Sequence, residues 1–547
     1  MLLEMHDIKK YYGDQLILSI DHLKIYSGER IGIVGNNGVG KTTLLHLLSG
    51  TIEPDQGIIK RYGSIGYVTQ HHHPIKTTIS GYWASRFQIN TTYHHHFSGG
   101  ELTRFKIAQV LETQPELLLL DEPTSHLDLD GIRLLEEILK NYFGAIVVVS
   151  HDRELLDHIC TDIIEIDQAA LHRYKGNYSN YQQQKQRLLR QQYREYESYV
   201  REKRRLQQII QRTKEHKQGI RNTPKRMGNS EARRLKTSSQ KATGQLERFI
   251  KSVEKRLERL EVKEKPFEHK PIQFDIQYTR PSYSQVMIEG KRINHSFGHK
   301  VLFQNASFTL ENGKKVALIG PNGSGKSTLI KMIVNGHPSI KISPSVNIGY
   351  FSQTFDQLDN QRTVLENVME SSAYPEPFVR ILLARLLFRG DSIYKPIDVL
   401  SGGERVKVAF AKLLVQNYNC LILDEPTNSL DIESIEALED ALIAYPHTLL
   451  VATHDRHFIN SFANELWIIK DRQIHTFSGH YNDYIHNQIE KDLPNKRDLQ
   501  LEKLLLETKL SEIVGKLSLE INEVEKHELN EQYEETLKQL KRLTSNI

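Results

Sequence analysis

The chain has 547 residues, 38% hydrophobic and 26% charged, enough apolar side chains for several packed cores and too many for a mostly disordered chain. Apolar runs such as residues 146–149 and 381–383 fall far short of the about 20 residues that cross a bilayer, and residues 1–12 carry acids where a signal peptide would have its apolar core. Two cysteines, Cys160 and Cys420, exclude a disulfide scaffold and suit a reducing cytosol; each lies beside an apolar stretch and is expected at a buried strand end. The net charge of +4 is unevenly spread. Residues 181–265 hold 25 Lys+Arg against 10 Asp+Glu, leaving −11 for the rest, and a basic block in a mildly acidic protein points to a polyanionic partner.

In chain order, residues 31–34 are a short apolar strand running into Gly35-Asn36-Asn37-Gly38-Val39-Gly40-Lys41-Thr42-Thr43, and residues 44–48 read as a helix. A glycine loop between strand and helix lets backbone N–H groups and the helix N-terminus cradle phosphates. Lys41 reaches the β/γ-phosphates and Thr42 offers a hydroxyl to Mg²⁺, so ATP and Mg²⁺ are the expected cofactors. Gln70 ends a strand containing Gly-Tyr and is expected at Mg²⁺ or the lytic water. Ser98-Gly99-Gly100-Glu101 opens a helix with a hydroxyl and unhindered N–H groups for a phosphate. The apolar run 117–120 is a buried strand ending in Asp121, expected to hold Mg²⁺, and Glu122, expected to polarise the attacking water. Strand 146–149 leads through Ser150 to His151, placed to contact the γ-phosphate and orient the water. Two histidine triplets, His71-His72-His73 and His94-His95-His96, suggest metal, but consecutive histidines do not converge from one face, and solvated loops account for them better.

From about residue 183 to 265 the pattern changes. Leu189, Tyr193, Tyr196, Val200, Leu206 and Ile210, then Leu246, Ile250, Val253, Leu257 and Leu260, fall at helical spacing. Gly219, Pro224 and Gly228 interrupt them. The reading is two long antiparallel helices joined by a turn region near 212–245, where ten Lys+Arg and two Glu have no local acidic partner and suit RNA phosphates.

Beyond the linker the first unit recurs. Gly320-Pro-Asn322-Gly323-Ser-Gly325-Lys326-Ser327-Thr328, Gln353, Ser401-Gly402-Gly403-Glu404, Asp424-Glu425 and His454 repeat the first set in order. Glycine loops that merely turn the chain do not explain two such matches. Only 27 residues separate Gln70 from Ser98, against 47 between Gln353 and Ser401. After Asp492 a further helical hairpin is expected through Leu506, Leu510, Ile513 and Leu517, then Tyr533, Leu537 and Leu540; residues 491–547, with 10 basic and 12 acidic residues, are not a basic arm.

The assembled set resembles the ATP-binding cassette (ABC) family, twice over. The expected fold is α/β: two ABC-type P-loop nucleotide-binding domains (1–182 and 271–490) with largely parallel sheets, a basic helical-hairpin linker (183–270) and a C-terminal helical hairpin (491–547). The resemblance implies a Mg²⁺-dependent ATP hydrolase in which each Walker A loop works with the Ser-Gly-Gly signature of the other cassette: Ser401, Gly402 and Gly403 for the first nucleotide, Ser98, Gly99 and Gly100 for the second. It places Tyr12 and Phe297 on adenine, Thr42, Gln70, Asp121, Ser327, Gln353 and Asp424 around the metal, and Glu122, Glu425, His151, His454, Gln70 and Gln353 at the reacting centre. Ser125-His-Leu-Asp128 and Asn428-Ser-Leu-Asp431 depart from the family's usual Asn-His-Leu-Asp. Two cassettes in one chain, a basic helical linker and no membrane span resemble the ABC-F family, and Tyr174-Lys-Gly-Asn-Tyr178 fits its pattern. The trimmed first interval is most similar to Vga/Lsa/Vml-type antibiotic resistance proteins. That implies a cytoplasmic monomer with its two cassettes paired, no membrane subunits, and a 70S ribosome partner met at the exit site. The linker would reach 23S rRNA and peptidyl-tRNA and protect the peptidyl transferase centre from lincosamides, streptogramins A and pleuromutilins. The alternatives are a general translation or ribosome-assembly factor of the family, a DNA-associated Uup-like ATPase, or a transporter ATPase.

Overall fold

The computed structural model describes residues 1–547 apart from 71–73, 75, 95, 222–228, 266–273, 275–282, 299, 352–357, 389, 429, 518–531 and 540–547. The chain divides into two compact units, one of residues 1–125 and 133–272, the other of 126–132 and 273–547.

The first unit begins with the long strands β1 (Leu3–Tyr12) and β2 (Gln15–Ile25), then β3 (Arg30–Val34), α1 (Lys41–Ser49), β4 (Gln56–Arg61), β5 (Ile65–Val68), α2 (Gly81–Phe87), α3 (Gly99–Glu112), β6 (Leu117–Asp121), α4 (Leu129–Lys140), β7 (Ala145–Val149), α5 (Arg153–Ile159), β8 (Asp162–Asp167) and β9 (Ala170–Lys175). The strands join in one sheet ordered β4-β1-β2-β9-β8-β3-β7-β6-β5. Its β8-β3-β7-β6-β5 stretch is parallel, while β1 pairs antiparallel with β2 and β4. The expectation of a largely parallel sheet therefore holds for the apolar runs only. β1 and β2 are solvated on one face, and their polar residues hide them as strands. The core lies where Leu3, Met5 and Ile8 of β1 face Leu44, Leu45 and Leu48 of α1 and the inward residues Leu117, Leu119, Val147 and Val149 of the parallel strands.

Helices α6 (Tyr178–Arg221) and α7 (Asn229–Glu258) form the linker. Lys214–Glu254, Lys217–Glu247 and Arg256–Glu202 pairs across them fix an antiparallel hairpin. Two expectations are corrected. The region 212–245 is mostly helix, because one glycine inside a helix costs only about 1 kcal/mol and residues 231–236 are mainly good helix formers; Pro224 and Gly228 lie outside the described residues. The basic stretch also has partners, since Lys214 and Lys217 meet Glu254 and Glu247. Leu206, Ile250 and Val253 are buried in the seam, but Leu189 is exposed. The root of α6 is held by Glu165 on β8, whose carboxylate accepts from Tyr174, Tyr181 and Lys185.

The second unit contains β10 (Val286–Phe297), β11 (Lys300–Glu311), β12 (Lys315–Ile319), α8 (Lys326–Val334), β13 (Ile340–Ile342), β14 (Ile348–Phe351), α9 (Val364–Met369), α10 (Glu376–Arg385), α11 (Gly402–Leu414), β15 (Cys420–Asp424), α12 (Ile432–Ala444), β16 (Thr448–Ala452), α13 (Arg456–Phe462), β17 (Glu465–Lys470), β18 (Gln473–Ser478) and α14 (Tyr481–Leu517). Strands β10, β11 and β13 form a separate antiparallel sheet, β11-β10-β13, and the six-stranded sheet β14-β15-β16-β12-β17-β18 is parallel except for its edge strand β18, antiparallel to β17. Among the described residues, helices 364–369 and 376–385 and short 3-10 helices at 390–394 and 397–399 occupy the interval in which the first unit has α2. Helix α14 begins at Tyr481, earlier than the expected start after Asp492. Cys420 opens β15 and is buried, but Cys160 caps α5 instead of ending a strand; burial pushes both thiols up to about 12.

Candidate active site

The parallel strands end on one side of each sheet, and the chemistry-bearing residues follow those ends, where ligands bind in open α/β sheets. In the first unit β3 runs into the glycine loop, β6 ends in Asp121 beside Val149 of β7, β7 leads to Ser150 and His151, and Gln70 lies two residues past β5. Gly40 takes φ +107° at the start of α1, and a Cβ there would stand 2.8 Å from Ile17; Gly325 repeats this at +108° against Phe303. Only glycine fits. Lys41 and Lys326 are almost fully buried. Each ammonium folds back onto the loop's carbonyls, Lys41 donating to Gly35 (2.7 Å) and Asn36 (3.1 Å) and Lys326 to Gly320 (2.8 Å) and Pro321 (3.2 Å). Phosphate oxygens would take over these donors.

Thr42 and Ser327 each hydrogen-bond the aspartate at the neighbouring strand end, Ser327 Oγ donating to Asp424 Oδ1 at 3.2 Å. Burial raises the pKa of both Asp121 and Asp424 despite that bond. A buried carboxyl held above its ordinary range beside a hydroxyl is a donor pair suited to a hard cation, whose charge would return it to the ionised form. The residues fit Mg²⁺ on a bound nucleotide.

Glu122 and Glu425 follow immediately, at φ +49° and +48°. Each backbone N–H donates to the adjacent strand, to Val149 and Ala452 respectively, which holds the residue in this sparsely populated region and turns its side chain toward the switch histidine. Nε2 of His151 is 3.3 Å from Glu122 Oε1, and Nε2 of His454 is 3.4 Å from Glu425 Oε1. Burial raises both glutamates to about 8, and burial with the nearby Lys326 lowers His454 to about 3. At neutral pH the Glu425–His454 contact therefore joins neutral groups rather than an ion pair. Nδ1 of His454 is buried without a hydrogen-bond partner, a polar atom left for a ligand.

Ser98 and Ser401 cap α3 and α11 in matched capping boxes, with the serine N–H and Oγ donating to Glu101 and Glu404 at 2.7–2.9 Å. This fixes the Gly99-Gly100 and Gly402-Gly403 turns. Tyr12 and Phe297 end β1 and β10 with exposed rings, 54% and 62% accessible, open to stacking. Gln353, His71–His73 and His95 lie outside the described residues. Two contacts are beyond the reach of the motifs: Tyr67 donates to Asp121 at 3.5 Å, and Lys106 of α3 donates to the backbone carbonyl of Gln70 at 3.0 Å. Tyr67 is legible in the Gly-Tyr strand, which recurs as Tyr350; Lys106 has no counterpart in the second copy and leaves no signal.

Family models described as "ABC transporter" match residues 18–125 and 303–428, and another of the same description matches residues 164–275. The chain is 33% identical to the ribosome protection protein VmlR of Bacillus subtilis, over 97% of this chain and 96% of the relative. It is 34% identical to the erythromycin resistance ATP-binding protein MsrA of Staphylococcus epidermidis, over 86% and 98%. It is also 30% identical to ABC transporter F family member 5 of Arabidopsis thaliana, over 91% and 79%. The chain belongs to the ABC-F family. Its two cassettes make it an ATP hydrolase of the ABC type. Among solved structures, the archaeal ribosome recycling factor aABCE1, crystallised with the stalk protein aP1, superposes with a TM-score of 0.59 at 20% identity, covering 88% of this chain and 92% of that one; this likeness shows the shared fold. Among the described residues no helix is long and apolar enough to cross a membrane.

Proposed function

We propose that this ABC-F protein is a cytoplasmic, ribosome-binding ATPase that protects translation from antibiotics. It would enter the exit site of the 70S ribosome and extend its linker, residues 183–270, toward 23S rRNA and peptidyl-tRNA near the peptidyl transferase centre. Drugs of the lincosamide, streptogramin A and pleuromutilin type would be its targets. The observation that carries this reading is the near end-to-end similarity to a relative named as a ribosome protection protein, joined to a basic helical hairpin built into a chain with duplicated ATP sites.

In each site the lysine and glycine loop would hold the phosphates, Thr42 with Asp121 and Ser327 with Asp424 would hold Mg²⁺, and Gln70 and Gln353 would add to these ligands. Bound Mg²⁺ supplies charge neutralisation at the transferring phosphate. Glu122 and Glu425 polarise water, with His151 and His454 orienting it. The signature residues Ser98, Gly99, Gly100, Ser401, Gly402 and Gly403 offer a hydroxyl and N–H groups to the γ-phosphate.

Co-sedimentation with 70S ribosomes, with ATP and without nucleotide, tests the partner. ATP-dependent pelleting that falls on a steep salt slope is expected. Absence of pelleting at low salt, with ATP hydrolysis intact, refutes it.

A further inference from the structure

We propose that His6 and His22, backed by Glu4, form a binding site for a divalent d-block cation such as Zn²⁺ on the antiparallel layer of the first unit. The register of β1 and β2 sets His6 opposite His22 and Glu4 opposite Lys24. Leu3, Met5 and Ile8 of the same strand point the other way, into the core, so Glu4 and His6 share the solvent-facing side with His22 and Lys24. Potential ligand atoms of Glu4, His6 and His22 lie within 4.8 Å of one another.

The two Nδ1 atoms are 3.2 Å apart. Two metal–imidazole bonds of about 2.0–2.1 Å meeting near the tetrahedral angle span about 3.3 Å, so the nitrogen spacing matches one ion held by both rings, whose centroids, now 4.5 Å apart, would open slightly as each ring turns its lone pair onto it. Nε2 of His6 lies 2.9 Å from Glu4 Oε1. That carboxylate accepts a hydrogen bond from Nε2–H, so the Nδ1 lone pair, which now faces Nδ1 of His22, is the one a metal would take, the arrangement in which a neighbouring carboxylate fixes the tautomer of a ligating histidine. His22 would hold its proton on Nε2, and water would complete the coordination. Lys24 donates to the same Glu4 oxygen at 2.9 Å, keeping the carboxylate ionised. Glu4 is mostly covered, its side chain 12% accessible, while His6 at 46% leaves a path for the ion. Paired imidazoles select zinc, copper or nickel over Mg²⁺, which prefers oxygen ligands; the site is therefore chemically separate from the nucleotide sites. None of the three residues belongs to the ATP-hydrolysing set.

The test is calorimetric titration of ZnCl₂ into the full chain, without nucleotide and in excess MgCl₂, with other histidines accounted for by difference between variants. One saturable equivalent more is expected in the parent than in His22→Gln, and that equivalent is weakened about 10- to 100-fold in Glu4→Gln. Parent-like binding in His22→Gln overturns the assignment. Should that variant melt early in EDTA, electron paramagnetic resonance of the parent loaded with one equivalent of Cu²⁺ decides. Hyperfine coupling to two imidazole nitrogens, reduced to one in His6→Gln, supports the site; coupling that His6→Gln leaves unaltered refutes it.

Discussion

Replacing Glu122 and Glu425 together by glutamine should nearly stop hydrolysis and yet make the ligand-free protein more stable. Loss of a general base typically removes a factor of 10²–10⁴ in rate, and the phosphate loop, Thr42–Asp121 and Ser327–Asp424 stay in place. The stability effect follows from burial. Each carboxyl is raised from 4.5 to about 8, so at pH 7 the folded state holds a proton that the unfolded state has released, at a cost on the order of 3 kcal/mol per site. An amide of the same shape escapes this cost but brings an NH₂ whose unmet donors cost about 1–3 kcal/mol, leaving a net gain of up to about 2 kcal/mol per site. For domains of this size that raises Tm by up to about 8 °C. The sign with pH is equally defined. Between 4.5 and about 8 the folded state binds more protons through these groups, so their contribution to stability falls as pH rises. His454, lowered to about 3, acts in the opposite sense, but only below its unfolded value of about 6.5. Calorimetric melts without nucleotide between pH 6.5 and 8 therefore isolate the carboxyls: parent Tm should decline more steeply than that of the double variant. Undiminished phosphate release, or a double variant that melts lower and with the parent's pH slope, refutes the reasoning.

Ser327→Ala should raise the Mg²⁺ concentration needed for half-maximal ATPase by removing a hydroxyl beside Asp424, measured by Mg²⁺ titration at fixed ATP; an unchanged requirement would remove Ser327 from the metal. Gly40→Ala forces a methyl to 2.8 Å from Ile17 at φ +107° and should abolish ATP binding by the first cassette, read by photo-crosslinking of labelled ATP and peptide mapping. Glu165→Leu leaves the buried Tyr181 hydroxyl without its acceptor at the root of α6, while the half-exposed Lys185 turns to water, and should cost about 1–3 kcal/mol in urea melts; a loss well below about 1 kcal/mol would make the anchor incidental. Neutralising Arg233, Arg234 and Lys236 should flatten the log–log salt dependence of ribosome binding by about one unit for each phosphate that they neutralise in the parent, and an unaltered slope would separate these charges from RNA.

The buried parallel strands are readable because residues 117–120 and 146–149 are apolar on both faces and end in the reacting residues. The antiparallel layer is not. β1 alternates poorly, its pairing slips between Lys10 and Tyr11 and between His6 and Lys9, and its solvent face is polar. The P-loops are placed by their motif, and the strand-end carboxylates and histidines by their recurrence in order and the resemblance to the ABC family, but the left-handed backbone of Glu122 and Glu425 is not, since no propensity puts glutamate there. The start of α6 has a local cause: Asn177 Oδ1 accepts from the N–H of Asn180, a helix-capping contact at the end of Tyr174–Tyr178, a stretch that the sequence shows only as a family pattern. The linker turn is harder to place, because glycine and basic residues suggest a break across a region that the helices span.

Growth of a drug-sensitive host expressing this chain, against a panel of ribosome-targeting antibiotics, tests the central claim most directly. Raised minimum inhibitory concentrations are expected for lincosamides, streptogramins A or pleuromutilins, with drugs acting at the decoding site unaffected. Unchanged susceptibility to every drug of the peptidyl transferase centre, with the protein expressed and pelleting with ribosomes, would contradict protection and favour a general translation factor of the same family.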